Sequence, residues 1–163
     1  MLHRLRFVIA GLIIILVNQA VTFAVSAAMP AALLPAGSTR YAVVSTATTA
    51  STNSGTFVGV PGMSTKINIP SGKVADVIVV FCGVAYAPTT NLHVRALAAG
   101  VEMGPGQVLL RGANSALENQ CGLFFLANVG SGLQTVKMQY YSQNTNFVYI
   151  YGRSMLVVAN IHN

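Results

Sequence analysis

Tryptophan is absent, and only three acids occur in 163 residues. The first absence removes the Cys–Trp–Cys core that marks an immunoglobulin-type sandwich. The second leaves Asp76, Glu102 and Glu118 as the whole carboxylate inventory. That is few for calcium, which takes about six to eight oxygens. A glycosidase-type acid pair would require the fold to juxtapose two of the three. Charged residues of both signs make up 7% of the chain, against about 25% in an ordinary soluble domain. The polar surface must therefore come from Ser, Thr, Asn and Gln. Histidine is scarce: only His93 and His162 lie beyond the leader, and His162 is penultimate. The two cysteines have neither CxxC spacing nor a nearby histidine, which argues against a zinc site. No GxSxG, HExxH, P-loop or EF-hand pattern occurs. Gly104-Pro105-Gly106 is followed by no helix and reads as a turn, not a phosphate cradle. These gaps predict a protein that is not an enzyme and needs no cofactor or metal. A hydrolase with an unrecognised site is the remaining catalytic reading.

The N-terminal segment has the three parts of a secretory signal. Arg4 and Arg6 precede the apolar run Phe7–Val17, and small residues Ser26, Ala27 and Ala28 close it. We expect a signal peptide over 1–28, cut after Ala27 or Ala28, and a flexible spacer over 29–39. Phe7–Ala28 is long enough to span a bilayer, so an uncleaved anchor is the rival, and membrane contact would run through the leader alone. Asn18 and Gln19 near its centre weigh against stable residence there. The expected location is secreted or extracytoplasmic, in the periplasm or at the cell surface.

Beyond Ala28 the chain carries seven cations and three acids, a net charge of +4. The cations are scattered singly, whereas nucleic-acid binding calls for clusters, so no nucleic-acid partner is expected. A surface with so little charge is poorly protected against self-association. A homo-oligomer is the predicted state.

The body of the chain shows no sustained 3.6-residue apolar period. Short runs rich in Val, Ile, Thr, Phe and Tyr alternate with Gly, Pro, Asn and Ser. Ile67 and Ile69 oppose Lys66 and Asn68; Leu92, Val94 and Ala96 oppose His93 and Arg95; Val136, Met138 and Tyr140 oppose Lys137 and Gln139. Pro61-Gly62 and Gly152-Arg153 read as breaks between strands. Val74–Ala85 is apolar on both parities, which predicts a strand covered on both faces. The pattern predicts an all-β, jelly-roll-type antiparallel sandwich of about eight to ten strands over residues 40–160.

Four side-chain groupings follow. Cys82 and Cys121 lie in strand-like runs of an exported chain, where a pair tends to bridge. The alternative is two buried thiols. Asp76 interrupts an apolar strand and needs a partner; Arg95 or Arg153 is the candidate, with Asp76–Arg95 as the expected ion pair. His93 shares a face with Arg95 and reads as part of an exposed polar surface. Tyr140, Tyr141, Tyr149 and Tyr151 lie on successive strands joined by Ser142–Asn146, which reads as a tyrosine-rich hairpin over 140–151. Tyr141, Asn144, Asn146, Tyr149 and Tyr151 are candidate ligand residues, because tyrosine rings stack on sugars and amides read hydroxyls. Cross-strand aromatic packing is the plainer alternative.

The stretch from Phe57 to Val158 resembles small, uncharacterised exported bacterial jelly-roll proteins. The likeness lies in VPGMS (60–64), IPSGK (69–73), VRALAAGV (94–101), PGQVLL (105–110), FFLANVGSGLQTVKMQY (124–140) and RSMLVV (153–158). Its order of turns and strands is also similar to the jelly rolls of C1q heads and tumour necrosis factor, which are trimeric binding modules, so a trimer is the homo-oligomer that this likeness implies. The resemblance implies a fold and carries no catalytic residue. The expected function is a secreted structural, adhesive or binding module, with a glycan or cell-surface ligand as possible partner and carbohydrate binding as the alternative.

Overall fold

Two-residue alternation decides which side chains enter the core. The computed structural model describes residues 39–163. The expected leader and nearly all of the spacer lie outside the described residues. The strands are β1 Thr39–Thr46, β2 Ala50–Thr52, β3 Val58–Ile69, β4 Val74–Tyr86, β5 Leu92–Ala98, β6 Val101–Glu102, β7 Val108–Arg111, β8 Glu118–Val129, β9 Gly132–Ser142 and β10 Val148–His162. The first sheet runs β1-β10-β4-β8, with β2 on β10. The second runs β3-β9-β5-β6, with β7 on β5.

The pairing is nested: β1 with β10, β3 with β9, β4 with β8 and β5 with β7, all antiparallel. Two further ladders, β10–β4 and β9–β5, join the ribbon to itself when it wraps. A long antiparallel ribbon rolled into two facing sheets is the jelly-roll sandwich.

Every second residue of the central strands is sealed between the sheets. Val77, Val79 and Phe81 of β4, Phe124 of β8 and Met155, Val157 and Ala159 of β10 meet Val94 and Ala96 of β5 and Val136, Met138 and Tyr140 of β9. The alternations read from β3, β5 and β9 place the expected residues inward.

Three expectations are corrected. Pro61-Gly62 does not end a strand: β3 runs through it with a register shift between Gly59 and Ser64, and Gly62 takes a left-handed φ of 75°. Gly152-Arg153 does not separate two strands either, because β10 continues with a shift between Ile150 and Arg153. That bulge turns Arg153 inward, where it is 4% exposed. Its guanidinium donates to Pro61 O (3.2 Å from Nε, 2.6 Å from Nη2) and to Thr48 O, so one buried cation ties the β10 bulge to the β3 bulge. Gly83 makes room opposite: a Cβ there would sit 2.7 Å from Ile150 Cγ2 and 3.2 Å from Arg153 Cβ. The third correction concerns β4, whose outward face is not covered by the described residues: Ile78 stays 38% exposed.

Candidate functional site

Each sheet presents an outer face, and the candidate residues divide between them. The hairpin expected over 140–151 does not form. β9 pairs with β3 and β5, whereas β10 pairs with β1, β2 and β4, so Gln143–Phe147 crosses from one sheet to the other. A long strand run followed by a short polar loop looks alike in both cases, and only pairing partners tell them apart. Tyr140 is buried, donates its hydroxyl to Ser51 O at 2.7 Å, and has its pKa raised by that burial. Tyr141 faces outward on the second sheet, and Tyr149 and Tyr151 face outward on the first. Asn144 and Asn146 lie in the exposed crossing. The Asn144 backbone N–H donates to Thr90 Oγ1, and Asn146 O accepts from Ser142 Oγ. Neither side-chain amide hydrogen-bonds to a tyrosine among the described residues.

On the second sheet, Tyr141 stacks on His93 with centroids 4.9 Å apart and planes 17° apart. The Gln107 amide lies 3.0 Å from both His93 Nδ1 and Tyr141 Oη. An amide nitrogen can only donate, so Nδ1 accepts and the neutral ring carries its proton on Nε2. Burial pulls the His93 pKa below its ordinary value, with the Gln143 side chain opposing in part. Phe57 meets Tyr141 edge-on at 4.7 Å, and the Arg95 guanidinium lies 4.1 Å above the Phe57 ring. Arg95 also donates to Gln139 Oε1 and pairs with Glu102 at 2.6 Å.

The expected Asp76–Arg95 ion pair is therefore wrong. Asp76 lies on the first sheet's outer face, Arg95 on the second's, and the core separates them. Asp76 accepts from the Asn128 backbone N–H at 3.0 Å, and His162 Nε2 lies 3.3 Å from the same oxygen. The backbone N–H first, then His162, hold its carboxyl below the usual range. The other candidate partner, Arg153, is held by carbonyls as described above.

The first sheet's outer face is read as cross-strand rows. Tyr41, Val158, Ile78 and Phe125 form one; Val43, Leu156, Val80 and Leu123 the next; Ser45, Ser154, Cys82 and Cys121 the third. Cys82 and Cys121 are direct cross-strand partners and form a disulfide. Tyr41 (65%), Leu123 (62%), Val43 (49%) and Phe125 (47%) are exposed. Beyond the cystine row stand four aromatic rings. Tyr149 neighbours Tyr86 at 6.0 Å, Phe147 at 6.3 Å and Tyr151 at 6.4 Å, with planes within 22–27°. Beside them a cavity of about 230 Å³ is lined by Cys82, Gly83, Asn119, Gly152, Arg153 and Ser154. Sequence reading missed Tyr86, because the strand was expected to end at Ala85. It also missed Phe57, Phe147 and Gln107, whose roles come from distant chain segments meeting.

No protein-family model matches the chain, and no curated protein matches it, so the resemblance to exported bacterial proteins has no support at the level of sequence. Similar solved structures include the infectious bursal disease virus Gt strain (11% identity, 84% of this chain, 35% of that one, TM-score 0.48). The EclA C-terminal domain, a sugar-binding protein, matches at 14% identity over 78% of this chain and 85% of its own, with TM-score 0.42. The CBM36-1 domain of a multidomain xylanase from the hindgut metagenome of Trinervitermes trinervoides matches at 11% over 72% and 96%, with TM-score 0.39. The chain spans 35–37% of the length of the first viral chains it matches. The jelly-roll assignment itself rests on the strand pairing.

Proposed function

We propose that this chain is an exported, non-catalytic structural or binding module that associates with copies of itself through the outer face of its first sheet. One observation carries the reading: two adjacent four-residue rows on that face hold no charged side chain and no hydrogen-bonding group except the Tyr41 hydroxyl. A sheet normally alternates apolar-in and polar-out when water bathes one side. Here the outward residues are Val, Leu, Ile, Phe and Tyr, the composition of a surface that packs against another sheet.

Four strands at about 4.8 Å spacing and two rows at about 7 Å give a patch of roughly 20 Å by 14 Å, about 280 Å². A contiguous exposed apolar patch of a few hundred Å² is often functional. It is about a third of what a standard interface contributes per partner, so the association is weak and concentration-dependent. Export rests on the signal-like leader and on a cystine of the kind that forms in an oxidising compartment.

Light scattering coupled to size exclusion on the exported protein tests the reading. Mass is expected to rise with concentration, and Leu123→Glu is expected to abolish the rise. A parent protein that stays monomeric at high concentration overturns it.

A further inference from the structure

We infer that the aromatic end of the first sheet's outer face binds a neutral polysaccharide, with Tyr86, Tyr149 and Tyr151 stacking on sugar rings and Asn119 and Ser154 reading hydroxyls in the adjoining cavity. The inference deepens the reading of the chain as a binding module, and it uses a different part of the same face.

A pyranose ring has an apolar C–H face and a rim of hydroxyls. Recognition therefore needs aromatic surface beside neutral donors and acceptors. Both are present, and tertiary structure brings them together. Tyr86 comes from β4, Phe147 from the inter-sheet crossing, and Tyr149 and Tyr151 from β10. Each ring is tilted by no more than 27° from its neighbour, so the four form a continuous series. Phe147 is 52% exposed, and all three tyrosines keep part of their surface open.

The cavity sits on the same side, between the cystine row and Tyr151. At about 230 Å³ it is below the range that encloses a drug-sized ligand, about 300–1,000 Å³. It suits the edge of one sugar unit, with the remaining chain lying over the rings.

The charge pattern selects a neutral sugar. The only cation lining the cavity, Arg153, is buried and spends its guanidinium on the carbonyls of Pro61 and Thr48. The exposed polar groups at hand are an amide and a hydroxyl. An anionic polysaccharide would find no available cation among these lining side chains.

Sedimentation with insoluble cellulose, chitin and xylan, and affinity electrophoresis through soluble neutral glucans and mannans, test the inference on the exported protein. Retention by at least one neutral polysaccharide is expected. The double variant Tyr149→Ala/Tyr151→Ala is expected to bind at least tenfold more weakly and Asn119→Ala several-fold more weakly. Tyr149→Phe/Tyr151→Phe keeps the rings and should bind nearly as well, which guards against mere misfolding in the alanine variant. Lys66→Ser, on the opposite outer face, should bind like the parent. Leu123→Glu separates the two proposals: it should bind polysaccharide normally while losing self-association. Failure to bind any neutral polysaccharide overturns the inference, as does salt-sensitive binding confined to alginate or heparin. A double alanine variant that is folded and binds like the parent overturns it as well.

Discussion

Lys66, Thr135, Lys137, Gln139, Arg95 and Glu102 stand on the outer face of the second sheet; at the corresponding layer of the first stand Tyr41, Val43, Ile78, Val80, Leu123 and Phe125. Both faces follow the same two-residue alternation, and both back onto one core. The second face does what an outermost layer in water is expected to do. It carries Lys66 and Lys137, and Arg95 is held between Glu102 and Phe57. The first face gives up that protection. The two faces therefore offer different chemistry: one presents charged and amide groups to solvent, and the other presents the apolar side chains on which the proposed self-association rests.

Several substitutions sharpen or break this contrast. The largest effect should come from the cystine in the row that borders the apolar patch. Replacing Cys82 and Cys121 together by Ser should lower stability by about 3–4 kcal/mol, since the 39-residue separation sets the chain entropy released on unfolding. Denaturant titration with and without reductant measures this. A parent protein equally stable in reductant would remove the cystine from the account.

Arg153→Met should cost about 2–4 kcal/mol, because the carbonyls of Pro61 and Thr48 lose their donors in a buried place. Gly83→Ala should cost about 1–3 kcal/mol by overpacking against Ile150 and the Arg153 stem. Thermal unfolding of each reads the loss, and a neutral Gly83→Ala would show that the bulge relaxes freely.

The contrast itself is tested by a matched pair. Leu123→Glu on the first face should weaken self-association at least tenfold, about 1.4 kcal/mol, whereas Leu133→Glu on the second should leave it unchanged. Equal effects from both would erase the distinction between the faces.

The smallest effects are in pH dependence. The folded His93 pKa lies below its ordinary 6.5, so the unfolded chain binds the proton more readily. Stability should therefore fall as pH drops through about 6.5 towards the lower folded value. His93→Phe should flatten that part of the profile. Asp76 acts in a separate acid window. Its folded pKa is depressed, so its contribution is present above the ordinary carboxylate value and is lost as pH falls through the folded one. Asp76→Asn should remove only this lower step; unfolding profiles of the two variants that shift together would contradict the separation.

Much of the fold was legible because alternation is a local property. Ile67 and Ile69, Val94 and Ala96, and Val136 and Met138 announce their inward direction without reference to any partner strand. Their cross-strand neighbours cannot be read so directly. Pro61-Gly62 and Gly152-Arg153 looked like ends, yet a bulge needs the same permissive residues as a turn. The tyrosine site was half legible: the parity of Tyr149 and Tyr151 was evident, but Tyr141 lies across the core from them. Asp76 demanded a partner, and it found the Asn128 backbone N–H and His162, the first invisible to any side-chain pattern and the second brought by the β10–β4 register.

The sequence by itself determined an all-β domain, its inward residues, its poverty of charge and the cysteines available to bridge, since each follows from residue type and spacing along one strand. Tertiary structure alone decided which strands became neighbours. That choice brought Cys82 to Cys121, gathered Tyr86 beside Tyr149, sent Asp76 and Arg95 to opposite surfaces, and left one apolar face uncovered by the described residues. The physical reason is that alternation fixes which side of a strand a residue occupies, while hydrogen bonding between distant segments fixes what stands beside it.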